Sequence, residues 1–381
     1  MPLEYAYCVW LLAILSLPGN IQAQKHTELI KPGEEWKDTD GHAINAHGGG
    51  ILFYKKKYYW FGEYKTAGRL GNTAQVGVSC YSSKDLYNWK NEGVALGVSA
   101  DSLSPIAKGC ILERPKVVYN RQTKMFVMWF HLEPKGKGYG GAQSGVAISK
   151  NATGPYQFLY AARPDKNVWP VNVLPVNKER KFTRYDIRFS GSTLPEHPDS
   201  LNLVGRDKDS GQMARDMTVF VDDDNQAYHI YASEENSTLH ISKLTQDYTG
   251  HSGIYKRIFP GMFREAPAVF KHNQKYYLIT SGCTGWMPNA AGIAVADSMM
   301  GNWTILGNPC VGDSSSKTFN AQGTYILKVN GRKDAYIFMA DRWTPKNPID
   351  GKYVWLPVNL GKPTPEIHWM NQWSLSMFNK N

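Results

Sequence analysis

What the chain lacks narrows it first. It has five cysteines in 381 residues, none of them in a CxxC spacing, so the usual zinc-binding patterns are absent. It has no P-loop, no glycine-rich dinucleotide fingerprint, no nucleophile elbow and no cluster of metal-ligand residues, and a metal centre is not expected. Nucleotide hydrolysis, nicotinamide chemistry and serine hydrolysis on an α/β sheet therefore lose their sequence signals. The formal charge is +10, yet the lysines and arginines are scattered over turns and form neither a basic helix nor a nucleic-acid motif. A solvated basic surface follows, with no nucleic-acid partner, and an acidic polysaccharide is the alternative. The longest apolar run, Val9-WLLAILSL, is too short to span a bilayer. It has the length of a secretion signal, with Ile21-Gln22-Ala23 offering a cleavage site, although Met1-PLEYAY lacks the usual positive charge. The expected organisation is a signal over residues 1–23, export to the periplasm or the medium, and one domain over 24–381. Cys8 leaves with the signal. Cys80, Cys110, Cys283 and Cys310 remain, and both two disulfides and four buried thiols are compatible with that count. The sequons at Asn151, Asn236 and Asn302 carry meaning only if the source glycosylates its exported proteins.

What is present is repetition. A short β-branched or aromatic run, a polar turn and a second aromatic-rich run recur five times: Ile51–Phe61, Val117–Phe130, Val219–Tyr231, Val269–Thr280 and Tyr325–Met339. Each is a β-hairpin signature. Third strands follow four of them, in Val76–Trp89, Ser144–Tyr156, Thr238–Tyr248 and Gly292–Trp303. An all-β unit repeated every ~50 residues is a propeller blade. The fold class read from the sequence is therefore all-β, a five-bladed β-propeller, with an aromatic content of 13% that suits half-buried strands. The interval between the second and third copies is about twice the usual one. Its excess, near residues 160–212, is read as an insertion on a blade connection, either a surface loop or a wall of the substrate pocket. The tryptophan-rich tail (Trp369, Trp373) and Trp36 are expected to close the ring.

The first strand of each blade lines the axis, so residues at the blade starts converge. Glu113, Asp216, Glu265 and Gln322 occupy those positions before the second to fifth copies, and Asn45-AHGGG precedes the first. Clustered carboxylates raise the pKa of one member, which can then protonate a leaving group. Glycoside hydrolysis needs such an acid and a second group that directs water or attacks. The residues alone leave a carbohydrate hydrolase and a sugar-binding propeller both open. His47 is read as structural or as a hydrogen-bonding residue for substrate, ahead of metal binding. Asp38 and Asp40 read as a turn, with a displaced base as the alternative.

Several stretches, in this order, resemble glycoside hydrolase family 43, and within it the exo-β-1,3-galactanase-like branch: Asp38-TDGHAINAHGGGIL, Tyr59-WFGEYK, Glu113-RPKVVYN, Tyr139-GGAQSGVA, Arg215-DM, Glu265-AP, Gly285-WMPN, Asn320-AQ and Asp341-RW. The resemblance implies an inverting propeller glycosidase. Glu265 would be the general acid, Asp216 would tune and orient it, Gln322 would hold the attacking water, and Glu113 would anchor sugar hydroxyls. Glu63, Tyr139, Thr284, Trp286 and Trp343 would build the galactose subsite. Ala46-His47-Gly48 stands where ordinary members carry an aspartate base, an absence that the branch shares. Inversion implies the acid and the water-holding group roughly 6.5–9.5 Å apart. The implied partner is a plant-type polysaccharide or oligosaccharide, acted on by a monomer without cofactor. Some members carry a structural calcium, to which the sequence assigns no ligands. The alternatives are an α-L-arabinofuranosidase of the same family and a non-catalytic carbohydrate-binding propeller.

Overall fold

A computed structural model describes residues 28–180 and 202–379. The signal expected over residues 1–23 and the middle of the expected insertion lie outside the described residues. The described chain forms five sheets, one for each repeat of the sequence. The first four blades are the sheets β1–β4, β5–β8, β9–β12 and β13–β16, each in simple sequential order. The innermost strands are β1 (His47–Tyr54), β5 (Ile111–Asn120), β9 (Met217–Val221) and β13 (Arg264–His272). The fifth blade begins at β18 (Gln322–Lys328), runs outward through β19 (Tyr336–Arg342), β20 (Lys352–Asn359) and β21 (Glu366–His368), and takes β17 (Cys310–Val311) as a parallel edge.

Burial explains the hydrophobic pattern. The second strands are enclosed on both faces: in β6 (Met125–Glu133) every residue after the first is buried. The outer strands β8 (Gln157–Ala162) and β16 (Thr304–Gly307) hold no buried residue. A doubly covered strand reads as a continuous apolar run and an edge strand does not. That is why two strands per repeat dominate the sequence pattern and the fourth is silent in it. The polar turns are tight. Tyr54 pairs with Lys57 across Lys55 and Lys56, both at positive φ, and His272 pairs with Lys275 across Asn273 and Gln274, also both at positive φ. Two successive residues at positive φ match the right-handed twist of a hairpin.

The core is divided among the seams between blades, each face of a blade packing against a different neighbour. Phe61, Val78 and Cys80 of blade one meet Leu112, Phe126 and Met128 of blade two. Phe270 and Ile279 of blade four meet Phe338 and Val354 of blade five. Cys80, Cys110, Cys283 and Cys310 are all free thiols, which sets aside the two disulfides; three of them are buried and Cys283 is partly exposed. The seam between blades five and one holds an aromatic cluster of Trp60, Trp89 and Trp355, against which Trp36 packs edge-on. Here the ends of the chain meet: Ile30 bridges Trp373 by paired backbone hydrogen bonds, and the Trp373 indole N–H donates to the Trp355 carbonyl. The ring is thus shut by a clasp of terminal segments, while every inner strand stays in its own blade.

The expected insertion needs a correction at its start. Residues 160–162 belong to β8, the outer strand of blade two. Beyond it the described residues are packed, not loose. Asp165 is buried and accepts hydrogen bonds from the hydroxyls of Tyr231 and Ser242 in blade three. Asn172 pairs with the Arg257 backbone in both directions. Two short helices, α1 (Pro175–Glu179) and α2 (Leu203–Arg206), flank the undescribed part.

Candidate active site

A shared backbone irregularity aims the site. The ladders of β1, β5, β13 and β18 with their neighbours all slip near the top of the blade, at His47/Gly50, Glu113/Lys116, Glu265/Ala268 and Gly323/Tyr325. Gly48, Arg114 and Ala266, each immediately following a candidate residue, have φ of +65°, +54° and +54°. A bulge redirects the side chain beside it and frees a backbone N–H. Each freed N–H is taken by a carboxylate from the preceding blade. Gly48 donates to Asp341 Oδ2 at 2.6 Å, Arg114 to Glu63 Oε1 at 3.1 Å and Ala266 to Asp216 Oδ2 at 3.1 Å. The bulges turn the blade-start side chains toward the axis, and the carboxylates lock neighbouring blades in register.

The resulting pocket has a volume of about 260 Å³. Glu63, Glu113, Tyr139, Asp216, Glu265, Trp286, Gln322 and Trp343 all line it. Glu265 sits deep in the pocket. Burial and the charge of Asp216 push its carboxyl up to about 8, against the opposing pull of Arg114. Its Oε1 accepts the Gln322 amide N–H at 2.9 Å, and its Oε2 lies 3.5 Å from Asn236 Nδ2. Asp216 Oδ2 pairs with Arg114 Nη2 at 2.9 Å. Of the two neighbouring carboxyls, Glu265 is the one whose proton is held more tightly.

Glu113 has the opposite environment. Burial alone would raise it, but His131 at 2.9 Å, with Lys65 nearby and Tyr139 donating at 2.8 Å, carries it down to about 2. Asn72 donates to the same carboxylate at 2.5 Å. His131 is held between Glu113 and Glu133, each 2.9 Å from one ring nitrogen, and despite the cost of burial these carboxylates lift it to about 9. Glu63 pairs with Lys65 at 2.6 Å with both side chains buried. Desolvation raises the Glu63 carboxyl.

Gln322 differs from its expected geometry. Its amide donates to Glu265 and to Ser281 Oγ, each at 2.9 Å, and its carbonyl accepts from Arg114 Nη2 at 2.7 Å and Trp343 Nε1 at 2.9 Å. The acid and the amide are in contact rather than 6.5–9.5 Å apart. That spacing is the room an attacking water needs, and here an amide N–H bonds a carboxyl oxygen directly. Trp343 and Trp286 stand edge to face, with ring centroids 5.8 Å apart, at the mouth.

Thr284 is not among the residues lining this pocket. Its hydroxyl donates to the Met287 carbonyl and accepts from Asn289 within its own exposed turn. His47 is buried beneath the pocket, stacked on Tyr353 with centroids 4.6 Å apart and 3.3 Å from Asp341. Asp38 closes the turn expected of it, its Oδ1 accepting from the backbone of Asp40 and His42. It lines a separate cleft beside Trp36 and Trp89.

Sequence reasoning missed Arg114, His131, Arg215, Asn236 and Cys283 as pocket residues. Arg114 was visible within Glu113-RPKVVYN, and the charge between two acidic blade starts was the available signal. Asn236 was legible only as a sequon. Glu113, His131 and Asp216 offer ligand atoms within 4.8 Å of one another, the one such group found among the described residues. Both ring nitrogens of His131 already face carboxylates, so an ion there would displace a proton from a satisfied hydrogen-bond chain. The donor set fits that chain better than a metal.

A ring of five blades with an elevated carboxyl at the axis defines a glycoside hydrolase of the propeller type. The model for glycosyl hydrolases family 43 matches residues 197–340. A solved family 43 β-1,3-galactosidase, in complex with galactodeoxynojirimycin, is 50% identical, with 91% of this chain and 100% of that one covered and a TM-score of 0.86. An exo-β-1,3-galactanase from Clostridium thermocellum is 35% identical, with 91% of this chain and 66% of its own covered and a TM-score of 0.73. An exo-β-1,3-galactanase from Phanerochaete chrysosporium, in complex with β-1,3-galactotriose, is 30% identical, with 91% and 68% covered and a TM-score of 0.73. This chain thus spans about two thirds of the length of those two galactanases. No curated protein sequence matches it. The chain belongs to glycoside hydrolase family 43.

Proposed function

We propose that this protein is an inverting, exo-acting β-1,3-galactosidase that releases galactose from the ends of β-1,3-galactan of the arabinogalactan type. The observation that carries the reading is Glu265, a carboxyl raised to about 8 by burial and Asp216 inside a pocket of about 260 Å³. An acid still protonated at neutral pH is what departure of a sugar oxygen requires. The volume suits one terminal sugar, and the 50% identical β-1,3-galactosidase supports galactose as that sugar.

In this reading Glu265 gives its proton to the glycosidic oxygen. Oε1 accepts the Gln322 N–H, so the proton belongs on Oε2. Burial and Asp216 keep the Glu265 pKa high, and Arg114 pairs with Asp216 while orienting the Gln322 carbonyl. Once the entering sugar ring parts it from Glu265, Gln322 holds the water that attacks the anomeric carbon as the glycosidic bond breaks. The amide accepts that water's proton as its imidic tautomer and returns it to Glu265 when the two are again in contact. Glu113, charged and braced by His131, accepts hydrogen bonds from sugar hydroxyls. Trp286 and Trp343 offer faces to the ring, and Tyr139 and Glu63 complete the wall. The apolar run at Val9-WLLAILSL supports an exported enzyme, working as a monomer without a resident cofactor.

The test is incubation with debranched β-1,3-galactan and, in parallel, with arabinose-decorated arabinogalactan. Products are resolved by anion-exchange chromatography and their anomers by proton NMR. Galactose appearing first as the α-anomer, and absent with Glu265→Gln, supports the proposal. Arabinose alone transfers the assignment to an α-L-arabinofuranosidase, and no release from either polymer returns the case to a binding propeller.

A further inference from the structure

We propose that Arg206, on α2 of the insertion, is a positioning residue that holds one wall of the pocket in its sugar-binding shape. The inference rests on the glycosidase reading above. The β10–β11 turn of blade three, between Ala227–Ser233 and Thr238–Leu244, carries three successive residues at positive φ: Glu234 (+52°), Glu235 (+57°) and Asn236 (+64°). None is glycine; asparagine tolerates left-handed backbone, but three such residues in a row, two of them glutamates, carry a cost that surrounding contacts offset. The third of them, Asn236, lines the pocket beside Glu265.

Two clamps enforce the turn. Within blade three, Arg257 grips Glu234 through Nε at 2.6 Å and Nη2 at 2.8 Å, with His240 at 2.8 Å. From the insertion, Arg206 Nη1 reaches Glu235 Oε1 at 2.9 Å. The other Glu235 oxygen takes Arg215 Nη2 at 3.1 Å, and Arg215 Nη1 reaches Asn236 Oδ1 at 3.2 Å. Arg215 also donates to the Tyr139 carbonyl through Nε at 3.2 Å and Nη2 at 2.8 Å. A chain of charge-assisted bonds thus runs from the insertion, through Glu235 and Arg215, to two pocket residues on different blades. Arg206 itself is fixed by Asp207, bonded through Nε and Nη2 at 2.7 Å each, so the relay has a rigid anchor. None of the relay's arginines bonds Glu265 or Gln322, and the relay's one approach to the acid is Asn236 Nδ2, 3.5 Å from Glu265 Oε2. Its loss therefore falls mainly on sugar binding.

The turn carries its own reporter. The Cys283 thiol lies 3.9 Å from the Asn236 carbonyl, and Cys283 is partly exposed while Cys80, Cys110 and Cys310 are buried. Arg206→Met removes the charge and keeps the aliphatic stem, and Arg206→Lys keeps a charge. Alkylation of Cys283 by iodoacetamide, mapped by peptide mass spectrometry, needs no substrate. The expected result is alkylation about tenfold faster in Arg206→Met and near the wild-type rate in Arg206→Lys. With galacto-oligosaccharides, KM rises about tenfold in Arg206→Met while kcat holds within about twofold. Adding Glu235→Gln to Arg206→Met changes little further, as linked residues are not additive. Unchanged Cys283 reactivity overturns the relay whatever the substrate proves to be. Faster alkylation with an unchanged KM overturns its role in binding. If the chain fails to cleave galactan, the alkylation arm still decides whether the relay exists.

Discussion

Glu113 and Glu265 occupy the same place in the repeat. Each opens the inner strand of its blade, each precedes a bulge residue with φ of +54°, and each points into one pocket. Their chemistry is opposite. Glu113 is drawn down to about 2, because its burial is answered by His131, Lys65 and Tyr139. Glu265 is driven up to about 8, because its burial is reinforced by Asp216. Position in the repeat sets where a carboxyl points, and the neighbours contributed by other strands set whether it holds a proton. A symmetrical scaffold can thus supply an anchor and an acid from equivalent sites.

The contrast is broken most severely at the acid. Glu265→Gln should cut kcat by about 10²- to 10⁴-fold, the usual share of a general acid, with circular dichroism unchanged. The next largest effect is on the anchor. His131→Leu strands two buried carboxylates and should cost about 3–5 kcal/mol of stability near pH 6. The sign follows from both partners. His131, raised to about 9, contributes fully below its ordinary value of about 6.5 and loses that contribution as pH climbs through about 9. Glu113, lowered to about 2, contributes above about pH 4.5 and loses it as pH falls through about 2. Denaturation of both proteins across pH should show a plateau in the penalty between about pH 4.5 and 6.5, shrinking on either side.

A smaller change sharpens the comparison. Asp216→Asn removes the charge that lifts Glu265, so the alkaline limb of kcat/KM, near pH 8 in the wild type, should move to lower pH. The loss should be about tenfold above roughly pH 7 and less in acid, read from a pH–rate profile. A limb that stays in place would assign the elevation of Glu265 to burial alone. The last effect is on stability and not on rate. Glu265 binds its proton more tightly folded than unfolded, so the wild type loses stability as pH rises from about 4.5 to about 8. A neutral glutamine has no such slope. The Tm of Glu265→Gln should therefore gain on the wild type across that interval.

Much of this was legible in the sequence, for identifiable reasons. The hairpins were readable because inner and second strands are buried on both faces and leave unbroken apolar runs. Glu113, Asp216, Glu265 and Gln322 were readable because each stands three or four residues before its hairpin copy. The partners that decide their chemistry were not. His131 meets Glu113 across a ladder, Arg114 meets Gln322 across the axis, and Asn236 arrives on a turn with no pattern of its own. Thr284 shows the converse. It stands beside pocket residues in sequence, yet its local turn consumes its hydroxyl. The start of the insertion was misjudged because β8, QFLYAA, is a short exposed edge strand with no alternation of apolar and polar residues to mark it.

The clasp between Ile30 and Trp373 has a consequence for the order of events along a growing chain. Gln322 and Trp343 belong to the last blade, and Asp341 of that blade holds Gly48 of the first. Four finished blades would carry the acid and its partner but would present them in an open crescent, with no opposite wall. The catalytic centre is complete only where the fifth blade meets the first, at the seam that Ile30 and Trp373 hold. A shortened chain ending before residue 370 should stay inert even with Glu265 in place, which makes turnover a report on whether the circle has closed.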